Sequence, residues 1–255
     1  MRPWIAVGCG LALVIAASVA LAPASLLDAR LEAMSGGRAR IANTSGTVWK
    51  GSGELVLQGG ERRNVAWQID PWQLLRGELK GTFANDGDPR RGAQFALARG
   101  KLELEGFDLS MPMSALLRAA GAPSLLSGVG GDVGVRVDRF IRDADALDVQ
   151  LAMQWRNASL PGLGPYPSMA LGEIHSELSG RGPEVSGPIA NSGGDVEIEG
   201  TVTAAASGAA RVDARIRPRD GIDPNRAAAI AAALSTLGSP DGRGGYRVVW
   251  PRNAK

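Results

Sequence analysis

The chain has little of the chemistry on which most enzyme active sites depend. Its 255 residues include one cysteine, Cys9, and one histidine, His175. Because Cys9 lies in an apolar run near the amino terminus, the rest of the chain has no thiol for a disulfide, a zinc site or a nucleophile. His175 lies in an alternating run between Glu173 and Glu177, and no nucleophile can be assigned to it. We therefore predict that the protein has no catalytic residues and is not an enzyme.

An excess of charge of one sign is also lacking. Lys and Arg together number 28 and Asp and Glu 26, and there is no long basic run, so nucleic acid is not a predicted partner. The acidic group of Asp143, Asp145 and Asp148 does not match the calcium-loop pattern. The carboxylates beside His175 are better explained as a solvated strand face than as metal ligands. We predict neither a metal nor a cofactor.

Long apolar runs are absent except at the amino terminus. Residues Trp4 to Ala22 carry no charge and are long enough to cross a hydrocarbon core of about 30 Å as a helix. Arg2 precedes this run, which favours a cytoplasmic amino terminus. The alternative is a cleaved signal peptide with the cut after Ala24. We predict an anchor or signal helix over residues 1–27 and a β-rich domain outside the cytoplasm over residues 28–255.

Glycine and proline, by contrast, are plentiful. The 35 Gly and 15 Pro have no strict period and mark the ends of many short strands. A phrase of Gly, a charged residue and a branched apolar residue opens several alternating runs, as in Gly100-Lys101-Leu102 and Gly131-Asp132-Val133. These runs predict a mainly β fold, an antiparallel meander that is curled or sandwich-like, with one dry face. A second sheet, packed helices or a ligand in a groove would have to cover that face.

Two short covering helices are predicted after the apolar run. The first starts at Met111-Pro112 and ends at Gly121 and Pro123, and the second starts at Asp223-Pro224 and ends at Gly238. Between them, residues 160–167 are rich in Pro and Gly. This segment is either a boundary between two lobes or a long surface loop within one sheet.

The most distinctive motif is the segment Gly46-Thr47-Val48-Trp49-Lys50-Gly51-Ser52-Gly53. Thr, Val and Trp suit a half-buried strand with Trp49 at its centre, while Gly51 and Gly53 permit a bulge or a close backbone approach. The segment therefore predicts a β-hairpin or sheet edge. Trp67 and Trp72 flank a strand end, and they are either core residues or a surface that binds a partner.

The Gly46 to Gly53 motif resembles the signature near the start of the periplasmic part of the type II secretion system protein N family, also called general secretion pathway protein N. The resemblance implies a bitopic protein of the cell inner membrane with a periplasmic β domain. Its role would be that of a non-enzymatic accessory that works with other type II secretion components in protein export across the outer membrane. The family is also similar to AsmA-like envelope proteins, which implies an alternative function of binding or conducting lipid in an apolar β-groove.

Overall fold

A computed structural model describes residues 22–57, 60–85, 92–119, 128–162 and 168–251. The chain divides between Ala96 and Leu97 into two compact units. Most of the predicted anchor, Trp4 to Ala22, lies outside the described residues. Within the described part of the chain, no helix is both long enough and apolar enough to cross a membrane.

Unit 1 contains the first helices and strands. In chain order these are α1 (Ser25–Ser35), β1 (Ala39–Gly46), β2 (Lys50–Leu57), β3 (Arg62–Ile69), α2 (Pro71–Leu74), β4 (Glu78–Asn85) and β5 (Ala93–Ala98), the last of which crosses the unit boundary. The apolar cluster of this unit joins α1 to the strands. Ala24, Ile41, Val65 and Trp67 form its buried centre.

Unit 2 contains the longer strands. In chain order its elements are β6 (Lys101–Pro112), α3 (Met113–Ala119), β7 (Gly130–Arg142), β8 (Leu147–Leu160), β9 (Met169–Gly182), β10 (Glu184–Ser192), β11 (Val196–Ala205), β12 (Ala210–Pro218), α4 (Pro224–Leu237), β13 (Ser239–Pro240) and β14 (Tyr246–Trp250).

The strands follow one another in a single open sheet. Their order is β1 to β12 in sequence and then β14 and β13. Neighbouring strands pair antiparallel, as in β7 with β8 and β8 with β9. The predicted mainly β antiparallel meander is confirmed. The described strands belong to one sheet that is not closed.

The dry face predicted from alternation is clear in β9. Ile174, Ser176 and Leu178 are buried, whereas His175 and Glu177 between them are exposed. Helix α4 covers part of this face in unit 2. Its Ile230 and Leu234, each only 1% exposed, lie in one cluster with Ile174, Val196 and Ile198. Of the three ways to bury the face, packing of a helix is the one that this cluster uses.

The two predicted helices both exist, although one starts later than predicted. The Asp223 carboxylate accepts hydrogen bonds from the amides of Asn225 and Arg226, so α4 begins and ends as its capping residues predict. Helix α3 begins at Met113, not at Met111, because Met111 and Pro112 still pair with β7. Its predicted end at Gly121 and Pro123 lies outside the described residues.

The two remaining helices, α1 and α2, were not predicted. The predicted anchor segment was drawn to residue 27, but Ser25 to Leu27 form the first turn of α1. The Asp70 side chain accepts a hydrogen bond from the Trp72 amide and so caps α2. The Pro- and Gly-rich segment 160–167 connects β8 to β9, which pair up to Leu160 and Met169. Residues 163–167 lie outside the described part, and a division into lobes there remains a prediction.

Strands β1 and β13 are the last members of the strand order at its two ends. Helix α1 packs beside β1, and the Asp28 carboxylate of α1 accepts a hydrogen bond of 2.7 Å from the amide of Ile41. At the other end, β13 consists of only Ser239 and Pro240. Pro240 has no amide hydrogen to donate.

Candidate functional site

The Gly46 to Gly53 segment forms the turn between β1 and β2. Gly46 ends β1 and pairs with Gly51, while Ser45 pairs with Ser52. The hairpin prediction is therefore confirmed. The prediction that Trp49 lies at the centre of a strand is wrong, because Trp49 lies in the bend before β2 begins. The side chain of Trp49 is partly buried there.

Close packing explains the glycines of this hairpin. A Cβ atom on Gly51 would lie 2.6 Å from Cζ2 of Trp67, and one on Gly53 would lie 2.6 Å from Cγ2 of Ile41. Gly46 has a φ of 90°, in the left-handed region that favours glycine. The interpretation that these glycines allow a close backbone approach agrees with this geometry.

Trp67, on the neighbouring strand β3, stabilises the hairpin by hydrogen bonds and packing. Its indole Nε1–H donates to the carbonyl oxygens of Thr47 and Val48, at 3.2 and 3.1 Å. Its side chain is only 4% exposed and packs on Gly51. The structure contradicts the assignment of Trp67 to a surface that binds a partner, because its ring is buried and its only polar atom is used inside the fold.

The hairpin also holds the residues that follow the predicted anchor. The Val48 amide donates to the Ala22 carbonyl, and the Ala24 amide donates to the Gly46 carbonyl. Pro23 forms a β-bridge with Thr47. We name residues 22–24 the exit segment. Because Ala24 is 2% exposed, the exit segment is part of the core of unit 1.

An exposed apolar surface follows the end of β3. Trp72, Leu74 and Leu75 are 74%, 41% and 80% exposed, and we call them the apolar tip. The tip follows directly on β3, whose last residue, Ile69, donates its amide to the carbonyl of Trp49 in the hairpin turn. Trp72 therefore keeps its predicted role as a candidate partner surface.

Unit 2 carries an open groove of about 530 Å³, and His175 is among the residues that line it. Ser110, Gly134, Gln154 and His175 form one row across four strands of this groove. With three strand spacings between them, Ser110 and His175 are about 14 Å apart, too far for a nucleophile and its base. Ser176 lies on the opposite, buried face. Within the described residues, no cluster of three or more metal-ligating side chains is found.

An ion pair with two hydrogen bonds holds α4 to the sheet in unit 2. The Asp195 carboxylate accepts two hydrogen bonds from the Arg226 guanidinium, at 3.0 and 2.6 Å, and one from the Ala170 amide. The hydrogen bond from Arg226 is the largest of the effects that lower the pKa of Asp195 below its ordinary value of 3.8. The role of the Asp195 carboxylate is structural, since Arg226 and Ala170, its hydrogen-bond partners, are both part of the fold.

A family model described as type II secretion system (T2SS), protein N matches residues 38–249. The chain belongs to that family. The match starts just before β1 and ends within β14, so it includes the whole Gly46 to Gly53 hairpin and strands of both units. The resemblance that the motif suggests is therefore confirmed. Membership of the family indicates an accessory role in type II secretion. No curated protein and no solved structure matches the chain.

The match gives no support to the predicted likeness to AsmA-like proteins, and lipid binding in a groove remains a prediction. The sequence did not reveal the exit segment as part of the fold, because its role depends on the bridge between Pro23 and Thr47. Nor did any local pattern indicate that Trp67 is buried and Trp72 exposed.

Proposed function

We propose that this protein is a non-enzymatic, single-pass accessory subunit of the type II secretion pathway in the cell inner membrane. Its amino terminus would lie in the cytoplasm and both β units in the periplasm. There it would contact other type II secretion components and support protein export across the outer membrane. Membership of the T2SS protein N family supports the accessory role.

One observation carries the proposal of a retained anchor. The exit segment supplies two backbone hydrogen bonds and a β-bridge to the hairpin, and Ala24 is buried beside Val65 and Trp67. Cleavage after Ala24 would remove these contacts and leave the Val48 amide without the Ala22 carbonyl. An unmade hydrogen bond in a buried setting costs about 1–3 kcal/mol. A domain built around the exit segment is therefore better suited to a retained anchor than to a cleaved signal.

The layout of polar residues favours a non-enzymatic role. The single histidine is exposed on the groove face, and the nearest serine in its register row is three strands away. Binding or conduction of lipid in an apolar groove is less well supported than the accessory role. In unit 2, helix α4 fills the place over the dry face that such a lipid would occupy.

The state of the amino terminus tests the anchor. Full-length protein from membranes of its own host should resist extraction at alkaline pH, and its intact mass should include residues 1–24. A soluble protein beginning at Ser25 would overturn the proposed anchor.

A secretion assay tests the accessory role separately. Deletion of the gene in a host with an active type II pathway should reduce the amount of secreted substrates in the medium, and the full chain should restore it. The same assay can be applied to the hairpin variant Gly51→Ala. Gly134→Ala is its matched control, because a Cβ atom on Gly134 meets nothing closer than 3.8 Å. Normal secretion without the gene, with all other components intact, would count against the role.

A further inference from the structure

We propose that the apolar tip inserts into the interface of the same membrane that holds the predicted anchor. Trp72, Leu74 and Leu75 would enter the headgroup region and give unit 1 a second, independent contact with lipid. This inference rests on the proposed function, because it takes the apolar run from Trp4 to Ala22 as embedded in the membrane.

The position of the tip within unit 1 is the first argument. Ala22, where the predicted anchor ends, accepts a hydrogen bond from the Val48 amide. The next residue, Trp49, accepts one from the amide of Ile69, three residues before Trp72. The exit segment, the hairpin turn and the tip therefore lie at one end of unit 1. An anchor that emerges at Ala22 brings this end to the bilayer surface with no linker between them.

The chemistry of the tip is the second argument. A tryptophan and two leucines that are exposed in and just after a short helix are costly in water and are typical of segments at a membrane interface. Tryptophan is enriched at that depth because its ring is apolar and its N–H can reach water or headgroups. Leu26, in the first turn of α1 after the exit segment, is also 54% exposed.

The charges near the tip form the third argument. Lys50, beside the hairpin turn, and Arg76, directly after the tip, are both exposed. The nearby acidic groups are Asp70, which caps α2, and Glu78, which pairs with Lys80 at 2.8 Å. The cations Lys50, Arg76 and Lys80 outnumber these two carboxylates by one, and this small net positive charge favours a bilayer with anionic headgroups.

A fluorophore at the tip tests the proposal in the full-length protein. Cys9→Ser provides a background without cysteine, and Leu75→Cys then carries an environment-sensitive dye. The protein is reconstituted into vesicles of phosphatidylethanolamine and phosphatidylglycerol, with or without lipids brominated near the top of the acyl chains. Arg38→Cys is the matched control. Residue 38 directly precedes β1 and is therefore one strand length, about 25 Å, away from the hairpin turn.

Insertion should shift the emission of the Leu75 dye to shorter wavelength. The brominated lipids should reduce that emission about twofold, since interfacial segments lie roughly 5–10 Å deep. The Arg38 dye should change in neither respect. Trp72→Ser in the Leu75→Cys chain should weaken the quenching.

The other outcomes separate the two proposals. An unquenched Leu75 dye in protein that resists alkaline extraction would overturn insertion of the tip and leave the anchor intact. A dye that is shifted but not quenched would also overturn it, because a protein surface would then cover the tip. A quenched dye in protein that alkaline buffer extracts would support the tip and overturn the anchor. Extraction together with an unquenched dye would overturn both.

Discussion

Substitution of Gly51 by alanine is the sharpest test of how the hairpin is built. The new Cβ atom would lie 2.6 Å from Cζ2 and 3.0 Å from Cε2 of Trp67. The ring cannot swing away freely, because it is buried and its N–H is bonded to the carbonyl oxygens of Thr47 and Val48. The same Cβ atom would lie 2.5 Å from the carbonyl oxygen of Ser45 on β1. Strand β1 or β2 must therefore shift, as well as the ring or in its place.

The expected cost follows from these contacts. Overpacking a well-packed core costs about 1–3 kcal/mol. Replacement of glycine by alanine in a compatible strand returns about 0.4–1 kcal/mol through the unfolded state. We expect Gly51→Ala to lower the free energy of unfolding by about 1.3 kcal/mol, the difference between these two values. With a urea dependence of about 1–3 kcal/mol per molar, the midpoint should fall by about 0.6 M.

The assay is urea unfolding of the full chain in mild detergent, followed by tryptophan fluorescence. Gly134→Ala is the control, since its Cβ would make only ordinary contacts, and it should leave the midpoint unchanged or slightly raised. Amide exchange of residues 65–69 should also quicken in Gly51→Ala alone. If Gly51→Ala unfolds at the same urea concentration as Gly134→Ala, the packing argument is refuted.

Four further substitutions have expected outcomes. Trp67→Phe removes the indole N–H and should cost about 1–3 kcal/mol in urea unfolding, whereas Trp72→Phe, at an exposed position, should be nearly neutral; equal costs would contradict the assignment of core and surface. Ser176→Ala should stabilise the protein by about 1 kcal/mol, because this buried hydroxyl has no hydrogen-bond partner within the described residues; a clear loss of stability would argue against it. The Asp195 pKa is lowered in the folded state, so its contribution is full above the ordinary value of 3.8 and disappears as pH falls through the folded pKa. Asp195→Asn should thus unfold at lower temperature than the natural protein at pH 7 and at nearly the same temperature at strongly acid pH, and a gap that does not depend on pH would contradict the role of the carboxylate.

Patterns of neighbouring residues predicted much of the fold. Alternation in runs such as the one around His175 gives the strands and their dry face, because side chains of a strand alternate between two faces. Asp223, Pro224 and Gly238 mark the ends of α4, because each acts on backbone groups within one turn of itself. The glycines of the hairpin likewise predicted the close backbone approach that the structure has at Gly51 and Gly53.

Contacts between distant residues were not predictable in the same way. Trp67 and Trp72 are five positions apart, and only the register that places Gly51 opposite Trp67 makes one a core residue and leaves the other exposed. The role of the exit segment depends on a bridge between Pro23 and Thr47, which no periodicity records. Helix α1 was hidden because it follows the apolar run directly.

The ends of the strand order have a consequence for self-association of the protein. An open sheet presents unpaired backbone groups at its outer strands, and such strands can recruit further chains into aggregates. Here the Asp28 carboxylate occupies the Ile41 amide on β1, and at the other end β13 is two residues long and includes Pro240. Both features reduce the number of free backbone amides with which a further chain could pair at the outer strands. Loss of the Asp28 carboxylate should therefore show first as self-association, before any loss of the fold.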